Sequence, residues 1–321
     1  MKFRTEIEPR PRPFRIGHAD RILAFGSCFA EHIAARLARA KFRTTANPTG
    51  ILFNPLSIAA TIDDCAAARP VRREELHHDD GRWFHYGFHG DLSAPTPDEA
   101  LAAMNDARRL GAEALRTAGV IAVTFGSAWV FEREGVVVAN CHRQPAAEFV
   151  RRRLTTGEIV AAFDRLLAGP LAGRKLLLTV SPVRHLADGL EGNAVSKAVL
   201  RLAAEELAEK HPDVAYFPAF EILNDDLRDY RFYADDLVHP APQAVAYVWE
   251  RFAETLLDDE ARRLLPEIEA IVTAAAHRPR NPRSDAHRTF CRRQLERIAA
   301  LPAIDFGEEE AYFRRSLEIN S

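Results

Sequence analysis

The sequence predicts an α/β fold: an open parallel sheet with helices on both faces, followed by a charged helical extension. Three observations predict it. Apolar runs at 22–25, Val120–Phe125, Lys175–Val180 and Val214–Phe217 are each short enough to be a buried strand. Segments with helical spacing fill the intervals, which is the alternation that places crossover helices between parallel strands. At 321 residues, 47% of them hydrophobic, the chain can cover such a sheet on both sides.

The elements follow in order. After the strand at 22–25 comes Gly26-Ser27-Cys28, then a helix on which Phe29, Ile33 and Leu37 share a face. Residues 42–45 read as a second strand. The loop 47–55 holds Asn47, Pro48, Gly50, Asn54 and Pro55, all turn formers, and is expected to rim a site. A polar, histidine-rich stretch covers 77–91, and a helix is expected over Pro97–Thr117 before the central strand Val120–Phe125. Residues 129–131 and 136–139, joined by 132–135, read as a hairpin beside the sheet. Thr155 with Glu158 three residues on makes a capping box for a helix ending near Leu167. Further helices are expected over 194–210 and after Pro240, with an irregular acidic stretch leading to Asp236. Residues 278–283 alternate arginine with proline and asparagine and read as a linker before a charged amphipathic helix at 287–300. The chain is thus divided into a main domain, 1–265, and a charged C-terminal helical extension, 266–321.

Charge narrows the partners. The 43 basic and 46 acidic residues are spread along the chain for a net charge of −3, so no global field attracts polyanions, and nucleic acid is excluded as the main partner. The first residues are charged and proline-rich, without a leader-like apolar stretch, and no later run approaches a membrane span. A cytoplasmic protein with no membrane partner is expected. Cys28, Cys65, Cys141 and Cys291 lie far apart with no CxxC pair, so neither a zinc knuckle nor a disulfide framework is indicated.

Active sites of open parallel sheets gather at the carboxyl ends of the strands. Gly26-Ser27-Cys28 places two candidate nucleophiles at such an end, on a turn into a helix whose N-terminal amides and dipole lower a thiol pKa and can hold an oxyanion. Asp236-Leu237-Val238-His239 supplies the complement. An aspartate three residues before a histidine can accept the Nδ1 proton and leave Nε2 for the nucleophile, so His239 is the expected base and Asp236 its orienting carboxylate.

Gly26-Ser27-Cys28-Phe29-Ala30 resembles the motif for which the GSCFA family is named. The likeness continues through 47–55, Phe88-His89-Gly90-Asp91, Cys141-His142-Arg143-Gln144-Pro145, Ser181-Pro182-Val183-Arg184-His185, Gly192-Asn193 with Ser196-Lys197, and 229–233. That family resembles a branch of the SGNH or GDSL hydrolases. The resemblance implies a three-layer, SGNH-hydrolase-like (flavodoxin-like) fold and an acyl hydrolase or acyltransferase with a covalent intermediate and no cofactor. Its substrate would be a small-molecule or carbohydrate-linked acyl compound; the alternative is a catalytically silent binding module on the same fold. Alignment on Gly26 puts Cys28 at the nucleophile position and Ser27 where those hydrolases carry aspartate. Their oxyanion asparagine is missing, because the matching segment reads Gly126-Ser127-Ala128-Trp129. Asn47, Asn54, the Gly50 or Gly126 amide, or the Ser127 hydroxyl are the candidate donors in its place.

Other clusters carry weaker expectations. His142 and Arg143 are candidate substrate contacts, as are Arg184 and His185. His77, His78, His85 and His89 have metal-binding side chains but no ligand spacing, so a solvated loop is expected and no metal. The run 224–229 is expected to be a solvated acidic loop near the site, and Cys65 and Cys291 are expected to be packing residues on helices.

Overall fold

A computed structural model describes residues 4–8 and 10–318. Its centre is a five-stranded, wholly parallel sheet of β1 (Arg21–Gly26), β2 (Arg43–Ala46), β5 (Val120–Phe125), β9 (Lys175–Val180) and β10 (Val214–Phe217). The order across the sheet is β10-β9-β5-β1-β2. Counting these five alone, that is the 2-1-3-4-5 order of flavodoxin-type doubly wound sheets, and the connection reverses direction between β1 and β5.

Successive strand residues point to opposite faces, so two cores form. Leu23, Phe25, Ile121, Val123, Leu176 and Leu178 face one layer, α2 (Pro55–Ala66), α4 (Thr156–Ala168) and α5 (Gly189–Lys210), with the end of α3 (Pro97–Thr117). Ile22, Val120, Leu177, Ala215 and Phe217 face the other layer, α1 (Cys28–Arg39) and α7 (Pro242–Leu256). This is the three-layer α/β arrangement. The strands and helices expected at 97–117, 120–125, 175–180 and 214–217 have those same bounds, and Thr155 with Glu158 forms the expected capping box. The hairpin of β6 (Trp129–Arg133) and β7 (Val136–Val138) gains a third strand, β8 (Val150–Arg153).

Two expectations about polar segments are corrected. The stretch 77–91 contains a short hairpin, β3 (His77–Asp79) with β4 (Arg82–Phe84), and His85 there is buried enough to be pushed down to about 4. The run 224–229 is not a solvated loop: after the short α6 (Ala219–Glu221) it lies largely in a π-turn, Ile222–Leu227, whose Asp226 is buried. Asp226 accepts hydrogen bonds from the Ile7 amide at 3.2 Å and the Tyr247 hydroxyl at 3.0 Å, so the N-terminal segment ties down this turn.

The boundary expected at 265/266 falls inside one continuous helix, α8 (Asp259–Ala276), which carries Pro266. Its Ala261 packs in the sheet-side core, whereas Ile268 and Ile271 pack with α9 (Asp285–Ala299) and α10 (Gly307–Glu318). A largely buried ion pair, Lys41 to Glu309 at 2.6 Å, links that three-helix unit to the end of α1. Among the described residues no helix is long and apolar enough to cross a membrane.

Candidate active site

The reversal between β1 and β5 leaves a crevice at their carboxyl ends, where open α/β sheets bind ligands. Gly26 ends β1 at φ +141°, and a side chain there would collide with the Thr124 carbonyl oxygen, so only glycine lets the chain turn this close to β5. Ser27 follows as the N-cap of α1 and accepts a hydrogen bond from the Phe29 amide at 3.3 Å. Cys28 is then the first helical residue. It lines a cleft of about 930 Å³ whose walls include Phe53, Trp129, Phe131, His185 and His239.

Ser27 does not line that cleft; it is 1% exposed and serves as a cap. In this fold the expected alternative nucleophile therefore does not present its hydroxyl to the cleft. The Cys28 thiol departs from expectation, since burial raises it above its ordinary value. Amides at Phe29 and Cys28 and the charge of Lys197 offset part of this, while Glu31 adds to it. Desolvation thus outweighs the helix terminus.

Across the cleft, residues 234–239 form a closed turn. The Ala234 amide donates to the His239 carbonyl at 2.8 Å, and Leu237 sits in the left-handed region at φ +57°. Asp236 Oδ1 accepts the amides of Val238 and His239, both at 2.9 Å, and Oδ2 lies 2.6 Å from His239 Nδ1. The His239 amide and ring, with the Val238 amide, hold the Asp236 carboxyl down at about 2. With Nδ1 donating to that carboxylate, Nε2 is left as the acceptor. Both side chains are open to water, 44% and 49% exposed, and among the described residues no hydrogen bond joins His239 to Cys28. The Arg184 amide donates to the Val238 carbonyl at 3.2 Å, and its guanidinium lies 3.9 Å from the Tyr233 ring centre, bracing the turn from the loop after β9.

The candidate oxyanion donors fare unevenly. Asn47 accepts the Gly26 amide at 2.9 Å and donates to Glu31 at 3.2 Å, so its side chain is committed to the frame. The Gly50 amide donates to the Asn47 carbonyl at 2.8 Å, and its Cα packs against His89 away from the cleft. The Gly126 amide donates to the Phe53 carbonyl at 2.8 Å. These three are corrected: the proline-rich loop uses them to lace β1 to β5. Ser127 and Asn54 do line the cleft. Ser127 Oγ accepts the Trp129 amide at 3.0 Å, and Asn54 caps α2 through the Ser57 amide at 2.8 Å while one of its Nδ2 hydrogens goes to Ser57 Oγ.

His142 and Arg143 are not brought to the cleft. They line a separate depression of about 450 Å³ with Asp79, Arg82, His89 and Asp91. His142 is fixed there by Nε2 at 3.1 Å from the His85 carbonyl and by stacking on Phe84. Its neighbour Cys141 is the one of this motif that lines the cleft.

Asn193, Ser196 and Lys197, part of the family likeness but given no role from the sequence, lie under the cleft. They occupy one face of α5 at helical spacing. Asn193 accepts the His185 amide at 3.0 Å and Ser196 the Ala128 amide at 2.8 Å, while Lys197 Nζ donates to the carbonyls of Gly126 at 2.6 Å and Ser181 at 2.8 Å. Lys197 is 2% exposed and burial pushes it down to about 7. Burial pushes His185 down to about 4, with the Lys197 charge acting in the same direction. The signal was three polar residues on the buried face of a helix at the sheet's carboxyl edge. Arg151, over the Trp129 ring and paired with Asp188, completes the wall.

The GSCFA family profile matches residues 21–252, and that of the C-terminal domain of GSCFA domain proteins matches 268–319. No curated protein matches the chain.

Proposed function

Since the chain belongs to the GSCFA family, we propose that it is an acyl hydrolase or acyltransferase that forms a covalent acyl-enzyme on Cys28 from an ester, thioester or amide. The observation that carries this reading is a single cleft at the sheet's switch point. It holds a half-buried cysteine at a helix N-terminus and a histidine whose Nδ1 is held by a carboxylate. Those are the parts of nucleophilic acyl transfer.

In this mechanism the Cys28 sulfur attacks the acyl carbonyl and the tetrahedral oxyanion collapses with loss of the leaving group. His239 acts as base towards the attacking group and acid towards the leaving group, and Asp236 keeps its ring oriented and stabilises the imidazolium. The first helical amide, at Cys28, has no acceptor within its helix, so it and the second Nδ2 hydrogen of Asn54 are the oxyanion donors we assign. The apolar wall of Ile51, Phe53, Trp129, Phe131 and Leu186 suits the acyl group. Arg151 and Arg184 suit a polar or carbohydrate leaving portion. Gly26-x-Cys28 after the first strand, Asp236-x-x-His239 before α7, and the strand order support kinship with the SGNH hydrolases. We place the protein in the cytoplasm, in keeping with its charge and unpaired cysteines.

A second reading, a silent binding module, is favoured by the commitment of Asn47, Gly50 and Gly126 to structural hydrogen bonds. Intact-mass measurement after incubation with activated esters and thioesters separates the two. An acyl adduct in the wild type and in Ser27→Ala, absent from Cys28→Ala, is expected. Absence of both adduct and turnover with every acyl donor leaves the binding module.

A further inference from the structure

We infer that the acyl group this cleft accepts is an apolar chain such as hexanoyl, laid on an aromatic shelf beside Cys28, and that acetyl is a poor substrate. The inference deepens the acyl-enzyme reading and rests on it for the occupant. The shelf begins next to the nucleophile. The Leu52 amide donates to the Gly26 carbonyl at 3.0 Å, and the Phe53 carbonyl accepts the amides of Gly126 at 2.8 Å and Ser127 at 2.9 Å. Phe53 is thereby held between the ends of β1 and β5, beside the turn that carries Cys28, and it lines the same cleft. The small sheet carries the shelf onward. Trp129 and Phe131 alternate along β6 and so share a face, on which Val138 of β7 and Arg151 of β8 stand in register with Phe131. All four line the cleft. The Arg151 guanidinium lies 4.2 Å from the Trp129 ring centre and 5.8 Å from that of Phe131, and its charge is met by Asp188. This wall therefore offers rings and methyl groups with no unpaired charge.

The exposure of the shelf points to a ligand. Phe53, Phe131 and Leu186 are 37%, 38% and 47% exposed, and all three surround one cleft. Single apolar side chains on a surface are ordinary, whereas several converging on a cleft that also holds a nucleophile mark a binding groove. A cleft of about 930 Å³ lies near the top of the range that encloses drug-sized ligands, so acetyl would leave most of the shelf in water. A longer chain would cover it. Arg184 and His239 come from other elements, the loop after β9 and the turn before α7, and they line the cleft away from the small sheet. The chain therefore runs from Cys28 onto the small sheet, and the polar leaving portion points towards Arg184.

The test compares p-nitrophenyl acetate, butyrate and hexanoate, each below its micelle-forming concentration, with the adduct on Cys28 read by mass spectrometry. kcat/KM is expected to rise about 3-fold for each methylene, or about 80-fold from acetate to hexanoate, a little under what full burial of each methylene would give. Phe53→Ser and Phe131→Ser should each lower the hexanoate-to-acetate ratio about 10-fold. Val136→Ser, on the same hairpin but outside the cleft, should keep the wild-type ratio. A second arm needs no turnover: unreactive hexanamide should slow alkylation of Cys28 by iodoacetamide at concentrations at which acetamide does not. Acetate turned over as well as hexanoate, with equal protection by the two amides, overturns the chain site while leaving the acyl-enzyme reading in place. Protection by hexanamide without an adduct from any ester keeps the chain site and removes the acyl-enzyme. A chain-length dependence as steep in both serine variants as in the wild type puts the chain elsewhere and overturns the inference. So does a rate indifferent to chain length in a protein that light scattering shows to be a dimer, which would give the shelf to a second copy.

Discussion

Cys28 is held by contacts gathered from across the chain: Gly26 against Thr124, Asn47 on the Gly26 amide, and Lys197 with its two carbonyls beneath. His239 is held by a carboxylate three residues away on an exposed turn that closes on itself. One side of the cleft is built by packing and the other by local hydrogen bonds. Function and stability therefore separate across the cleft. Changes on the exposed turn should cost chemistry with little loss of fold, and changes under Cys28 should cost both.

The largest expected effect tests the exposed side. His239→Ala should lower kcat/KM on an activated ester or thioester about 1,000-fold, a barrier increase of about 4 kcal/mol, because it removes the proton carrier. The melting temperature should hardly move, since the ring is 44% exposed and its ties are local. A variant that keeps near-wild-type turnover removes His239 from the mechanism; one that loses both activity and stability breaks the contrast between the two sides.

Asp236→Asn should come next, slowing turnover about 100-fold while leaving residual activity because the carboxylate never touches substrate. Asp235→Asn beside it should be silent, and the reverse result would move the assignment by one residue. The pH dependence has a definite sign. Asp236 is held down at about 2, so its hold on the imidazole is complete above the ordinary carboxylate range and is lost only as pH falls towards about 2. Any acid limb of the rate profile near neutrality therefore belongs to another group.

The buried side should show itself in acid stability. His185 and His85 are each pushed down to about 4, so they fold neutral and must remain uncharged to stay buried. The unfolded chain takes up protons that the folded one refuses once the pH drops below the ordinary histidine range. Stability contributed this way is full above about 6.5 and is lost as pH falls towards 4, by roughly 2 kcal/mol per histidine at pH 5. Urea unfolding at pH 7 and pH 5 checks it. His185→Gln should show about 2 kcal/mol less pH dependence than the wild type, and an identical slope would place His185 in water.

How much of this was readable in the sequence follows the same division. The strand 120–125 and the helix 97–117 were legible because apolar periodicity is local, and the Asp236–His239 pair was legible because three residues span one turn. Lys197 was not. It looks like an ordinary helix lysine until folding brings it to Gly126, 71 residues away. Asn47 and Gly50 misled for a related reason: their residue types suit an oxyanion hole, but the Gly26 amide and the Asn47 carbonyl claim them. His142 shares a motif with Cys141, yet both His142 and Arg143 have positive φ, and the bend turns them into the neighbouring depression. The strand Val150–Arg153 holds three arginines and no apolar alternation, so only its pairing with β6 reveals it.

The smallest expected effect decides between the adjacent hydroxyl and thiol. Ser27 is buried, accepts the Phe29 amide at 3.3 Å, and starts α1, so its hydroxyl acts as a helix cap. Removing such a cap by Ser27→Ala should cost about 1 kcal/mol of stability. The cap also fixes the first turn on which Cys28 sits, so a modest, severalfold loss of turnover should accompany it. The acyl adduct should still form, because the sulfur and the Cys28 amide remain in place. Unfolding curves give the stability, and trapped-intermediate mass spectrometry gives the adduct. If Ser27→Ala loses the adduct while Cys28→Ala retains it, the helix must begin one residue later during catalysis than in the resting fold. The cap and the nucleophile would then exchange places, and the buried side of the cleft would be the mobile one.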